Sequence, residues 1–144
     1  MQFSLSPIFF RFFILATIVS TLFFFSNCND NPYKQGKILY ELYCQNCHME
    51  NGEGLKGLIP PLARADFLIK HRDQLPCIIR KGLKGNIEVN NITYGQQQML
   101  PIDRFSDFEI TNILNFVDHN WGNSGKLWTV DEVTGYAKDC PPLH

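Results

Sequence analysis

Apolar positions along the chain fall into two kinds of pattern. Ile38, Leu39, Leu42 and Tyr43 lie near a 3.6-residue period, which predicts a helix over residues 34–46. Ile110, Ile113, Leu114 and Val117 repeat the same period, with Phe116 joining from one side. Ser106 stands before that run and Glu109 three residues later, a capping box that opens the main C-terminal helix. Thr129-x-x-Glu132 repeats the signal and predicts a short helix over residues 130–138. Residues 66–71 and 73–81 are two further helical candidates. Gly82 ends the second, and Pro76 sits in its first turn, where proline is tolerated. Between the helices, Ile87-Glu88-Val89-Asn90-Asn91-Ile92-Thr93-Tyr94 alternates around an Asn-Asn pair and reads as a small β-hairpin. Gly52, Gly54 and Gly57 enforce a loop after the first helix, and Gly122-Asn123-Ser124-Gly125 makes a second break.

The first 27 residues have a different composition. They hold one charge, Arg11, and an apolar run of 14 residues at 12–25. A comfortable transmembrane span needs ~20 apolar residues, so the run has the length of a signal-peptide core. Cys28 closes it where a lipoprotein's modified cysteine would stand, although Asn27 replaces the usual small residue. An uncleaved anchor and an ordinary secreted chain, with Cys28 removed, are the alternatives. The expected organisation is a leader at 1–27, a tether at 28–33, a domain at 34–122 and an extension at 123–144. Removing the leader leaves 117 of 144 residues, with 12 basic side chains (13 without Arg11) against 14 acidic ones, a net charge of −2. One core and one domain suit that length. No basic stripe or cluster argues for nucleic acid.

The chemistry concentrates in Cys44-Gln45-Asn46-Cys47-His48. Two thiols three positions apart lie on one side of a helical turn and can bond both vinyl groups of one porphyrin. The histidine that follows is then held as an axial iron ligand, the pattern of a c-type haem attachment site. Zinc would need a second pair of ligands. Here Cys28, Cys77 and Cys140 are isolated, and His71, His119 and His144 are scattered. A redox dithiol would follow a strand and open a helix, whereas this motif ends a helical run. For the second axial position the candidates are Met99, His71 and His119. Met49 is adjacent to His48 and stays on its side of the ring. Met99 lies 51 residues past His48 on a polar loop before Pro101, which favours it over a core gap-filling role.

Taken in order, these features resemble a class I c-type cytochrome over residues 33–122. Gly36-x-x-x-Tyr40 resembles the family's helix-packing pair. Gly57-Leu58-Ile59-Pro60-Pro61-Leu62 resembles its proximal Pro-x-Leu segment, and Met99-Leu100-Pro101 its distal Met-x-Pro. Residues 113–117 resemble its closing helix, and Trp121-Gly122-Asn123 the end of that helix. The resemblance implies an all-α fold of three to five helices around one covalently bound haem c. A hairpin insert precedes the distal Met, and a short helix is added at the C-terminus. It implies thioether bonds at Cys44 and Cys47, axial His48 and Met99, and a haem pocket including Pro60, Leu62 and Tyr94. It further implies a bacterial, exported electron carrier rather than an enzyme, in the periplasm or cell envelope. Its partners would be redox proteins, with a membrane surface reached through a lipid anchor or a retained leader. A ligand-binding module with labile Met99 and a dedicated electron-entry subunit of one oxidoreductase are the alternatives. In an oxidising compartment Cys77 and Cys140 either pair, pinning the tail, or remain two free thiols.

Overall fold

The computed structural model describes residues 32–140, together with Ile8, Arg11 and Ile14. Apart from Ile14, the expected leader core lies outside the described residues, as do Cys28 and the last four residues. The chain divides into units Met1–Pro32 and Tyr33–His144, and everything below concerns the second. Among the described residues no helix is long and apolar enough to cross a membrane.

Among the described residues of this unit there are six α-helices: α1 (Lys34–Tyr43), α2 (Gln45–His48), α3 (Asp66–Lys70), α4 (Leu75–Lys81), α5 (Asp107–Asp118) and α6 (Val130–Ala137). A two-stranded antiparallel hairpin, β1 (Ile87–Val89) and β2 (Ile92–Tyr94), is the only sheet among the described residues. The architecture is therefore the expected helical one with a hairpin insert. The helices outnumber the three to five expected because short turns separate from longer ones.

The single helix expected over 34–46 breaks at Cys44, which caps α1 by donating its N–H to the Tyr40 carbonyl. One further turn, α2, then runs to His48. The helix expected over 73–81 begins instead with a 3₁₀ turn, Arg72–Gln74. Pro76 has no N–H to offer the Arg72 carbonyl, so Leu75 supplies it in the tighter i+3 pattern. Gly82 ends α4 with φ +76°, a conformation open to glycine at little cost.

Helices α1 and α5 cross in close contact. Gly36 makes this possible, because a Cβ there would meet the Asn112 carbonyl and stand 2.7 Å from Phe116 Cβ. Next to the crossing, Tyr40 packs its ring 5.5 Å from Phe116 and 4.9 Å from Trp121. Its hydroxyl donates to the Met49 carbonyl at 2.6 Å, tying α1 to the end of α2. The expected capping box holds the start of α5: the Ser106 hydroxyl accepts from the Glu109 N–H, and the Glu109 carboxylate accepts from the Ser106 N–H. The apolar face of α5 then buries Ile110, Ile113, Leu114, Phe116 and Val117.

In the hairpin Ile87 pairs with Tyr94, Glu88 with Thr93 and Val89 with Ile92. Asn90 and Asn91 both have positive φ, +52° and +62°, as a tight hairpin turn that matches strand twist requires. Asp66 and Asn90 exchange two side chain–backbone hydrogen bonds, which fix the turn against the start of α3.

The segment after Asn123 packs into the same core. Trp128 is buried, with its indole N–H donating to Asp118 at 2.7 Å. Asn115 holds the backbone of Trp128 with two hydrogen bonds. Arg72 stacks 3.5 Å above the Trp128 ring and reaches Asp118 and Glu132. Cys77 on α4 and Cys140 form a disulfide across 63 residues, with Cα atoms 5.3 Å apart, so these two thiols do pair.

Candidate haem site

The turn of α2 brings the thiols and the imidazole together. The N–H groups of Cys47 and His48 both donate to the Cys44 carbonyl, at 3.1 and 2.9 Å. Met49 then leaves the helix at φ +65°. Cys44 and Cys47 are both free thiols. Burial, reinforced by the neighbouring Cys47, pushes the Cys44 thiol up to about 12. A reactive dithiol calls for the opposite, a thiol acidified toward neutrality. Zinc fares no better. Cys77 and Cys140 are consumed in the disulfide, and among the described residues no cluster of His, Cys, Asp and Glu is placed to hold a metal ion.

His48 Nδ1 lies 3.0 Å from the Pro60 carbonyl. A carbonyl can only accept, so this bond places the proton on Nδ1 and leaves Nε2 with a free lone pair. Burial holds the imidazole below its ordinary pKa, partly offset by the Pro60 bond, and keeps it neutral. The loop is shaped for this contact. Leu55 and Ile59 pair as an isolated antiparallel bridge. At Gly54, φ +63°, a Cβ would sit 2.7 Å from the Pro60 oxygen.

Met99 approaches from a separate part of the chain. It forms an antiparallel bridge with Leu83 through two backbone hydrogen bonds of 3.0 and 3.1 Å. The bridge demands glycine at position 82, where a Cβ would lie 2.5 Å from the Met99 carbonyl.

Cys44, Cys47, His48, Pro60, Tyr94 and Met99 all line one cavity of about 240 Å³. A single water needs only ~10–15 Å³, so this space is built for a large group. The remaining walls are mostly apolar, including Ile59, Leu83, Ile87 and Ile102. Those four were not anticipated as pocket residues. Ile59, Leu83 and Ile102 each adjoin a glycine or proline and Ile87 opens the hairpin, signals too weak and too varied to find them from sequence. Tyr94 is buried and lines this cavity.

Leu62, expected in the pocket, is not part of its lining. Its N–H donates to Gly52 and its carbonyl accepts from Asn123, and these bonds hold it against the core instead. The rival ligands are also elsewhere. His71 stacks on Phe67 at 4.3 Å, and His119 stacks on Tyr33 at 4.7 Å. Neither lines the cavity.

Two free thiols, a neutral imidazole with a free Nε2 and an apolar slot are what covalent attachment of one haem requires. The chain belongs to the cytochrome c family, whose profile matches residues 33–121. Haem c and one-electron transfer come with that membership. The chain is 35% identical over 99 residues to cytochrome c-552 of Thermus thermophilus, across 62% of this chain and 75% of that protein. A second cytochrome c-552, from a particular strain of the same species, is also 35% identical over 99 residues, across 66% of its length.

Proposed function

We propose that the protein carries single electrons between redox proteins through a haem ligated by His48 and Met99. The observation that carries this reading is the convergence of His48, Met99 and both free thiols on one cavity. When bound, haem supplies a ferric/ferrous couple whose potential is raised by a thioether ligand. The chain's own residues do the rest. Cys44 and Cys47 hold the group covalently, which prevents its loss. Pro60 fixes the orientation and tautomer of His48. The Leu83 bridge holds the Met99 backbone. Ile59, Leu83, Ile87 and Ile102 would keep water from the slot, and Tyr94 would add its ring to the pocket wall. Cys47 is exposed and Leu100 is 71% exposed, so the attachment edge lies open to an approaching partner. Lys56, Lys81 and Lys84 are exposed cations available to such a partner, whereas Lys37 and Lys70 are engaged with Glu41 and Asp66.

The composition of residues 1–27 supports export to a bacterial periplasm or cell envelope, with Cys28 as a point of lipid anchoring. The electron-carrier reading is tested by Met99→Ala. The variant should keep its haem but lose potential and bind CO in the ferrous state. A potential and spin state identical to the parent would exclude Met99 as the ligand.

A further inference from the structure

Resting on the Met99 ligation just proposed, we infer that the C-terminal segment is a positioning brace for that ligand. The residues that would act are Cys77, Cys140, Asp107 and Thr134.

The Met99 loop hangs on α4 and the residues that follow it. Leu83 bridges Met99 by two backbone bonds, and the Ile79 carbonyl accepts from the Ile102 N–H at 3.0 Å. Arg80 donates to the Phe105 carbonyl at 3.2 Å and to Asp107 at 2.6 Å. The tail fixes this short helix directly at one point and through its neighbours at two more. Before α4, Arg72 is held by Glu132 and by stacking on Trp128. Within α4, Cys77 is bonded to Cys140. Toward its end, Thr134 donates to the second Asp107 oxygen at 2.7 Å, fixing the carboxylate that Arg80 grips. One face of α4 thus meets the tail while its carbonyls and final residues hold the distal loop. None of the four proposed residues lines the haem cavity. They act through α4, and loosening them should make Met99 leave the iron more often while the fold persists.

The test uses the full-length ferric holoprotein and exogenous imidazole, which binds only when the thioether departs. Three proteins are compared: the parent, Cys77→Ala/Cys140→Ala, and Thr134→Val. Thr134→Val removes one hydrogen bond with little change of volume, so it keeps the test alive if the double variant does not fold. The expected result is faster imidazole entry, about fivefold for Thr134→Val and more for the double variant, with haem attachment and far-ultraviolet circular dichroism unchanged. Unchanged imidazole kinetics in folded variants, with only a lower melting temperature, would overturn the brace and leave the tail a general stabiliser. A parent protein lacking the methionine–sulfur band would remove the Met99 ligation and the brace together. The band present with unaltered kinetics would remove the brace alone.

Discussion

Replacing Gly36 with alanine sets two effects of opposite sign against each other. Gly36 is the third residue of α1, in its first turn, so the gain from Gly→Ala is at the low end of the helix-interior range, about 0.5 kcal/mol. Here the new methyl would meet the Asn112 carbonyl and stand 2.7 Å from Phe116 Cβ. Overpacking of a tight core typically costs about 1–3 kcal/mol. This case belongs at the upper end or beyond, because the obstacle is helix backbone rather than a flexible side-chain end. Relief requires α1 to move off α5, which also pulls Tyr40 away from Phe116 and Trp121. The net expectation is a loss of about 2 kcal/mol, or a melting temperature lower by about 8 °C for a domain of this size. Because α1 runs directly into Cys44, the holoprotein yield should fall as well. Thermal unfolding followed by circular dichroism at fixed haem occupancy measures the effect. A melting temperature equal to or above the parent's would show that helix propensity wins and that the crossing is not tight.

Arg72→Met removes the cation that faces Asp118, whose side chain is only 4% exposed. Losing one partner of a buried pair costs about 3 kcal/mol near neutral pH, the low end of the usual range because Arg72 itself is partly exposed. Burial already holds the Asp118 carboxyl above its ordinary pKa. A raised folded pKa means the folded state binds the proton more readily, so the penalty should shrink as pH falls toward the carboxylate range. Denaturant unfolding from pH 7 to 4 reads this, and a penalty independent of pH would refute it. Asp107 has the opposite sign. Hydrogen bonds from Thr134 and then Arg80 hold its carboxyl below the ordinary range. Its contribution is full above the unfolded pKa of about 3.9 and disappears as pH falls through the lower folded value. The stability gap between the parent and Asp107→Asn should therefore close on acidification below about pH 4, and a gap that widens there would contradict the assignment.

The long-period features were legible from sequence. α5 announced itself through Ser106, Glu109 and four aliphatic positions, because a capped amphipathic helix is a local pattern. The Asn90-Asn91 turn was equally local, since two positive φ values need such residues. The haem motif was legible because its chemistry requires three side chains within one turn. Apart from the pairing of Cys77 with Cys140 and the convergence of Met99 on the His48 cavity, contacts between distant segments left no such trace. Arg72, Asp118 and Trp128 meet only after α5 and the tail have docked. The one hint was Asp118 itself, a carboxylate four residues past Leu114 on the buried face of α5. Leu62 was placed in the pocket from its segment's likeness, yet Gly52 and Asn123 compete for its backbone and draw it to the core. The break at Cys44 was missed because one helical turn, α2, is too short to show a period of its own.

The absorption spectrum of the oxidised and reduced full-length protein, extended to the weak red band of iron–methionine sulfur ligation, tests the central claim most directly. A c-type spectrum with that band, lost in Met99→Ala, is the predicted result. A c-type spectrum without the band, together with CO binding by the parent protein, would contradict a His48/Met99 electron carrier.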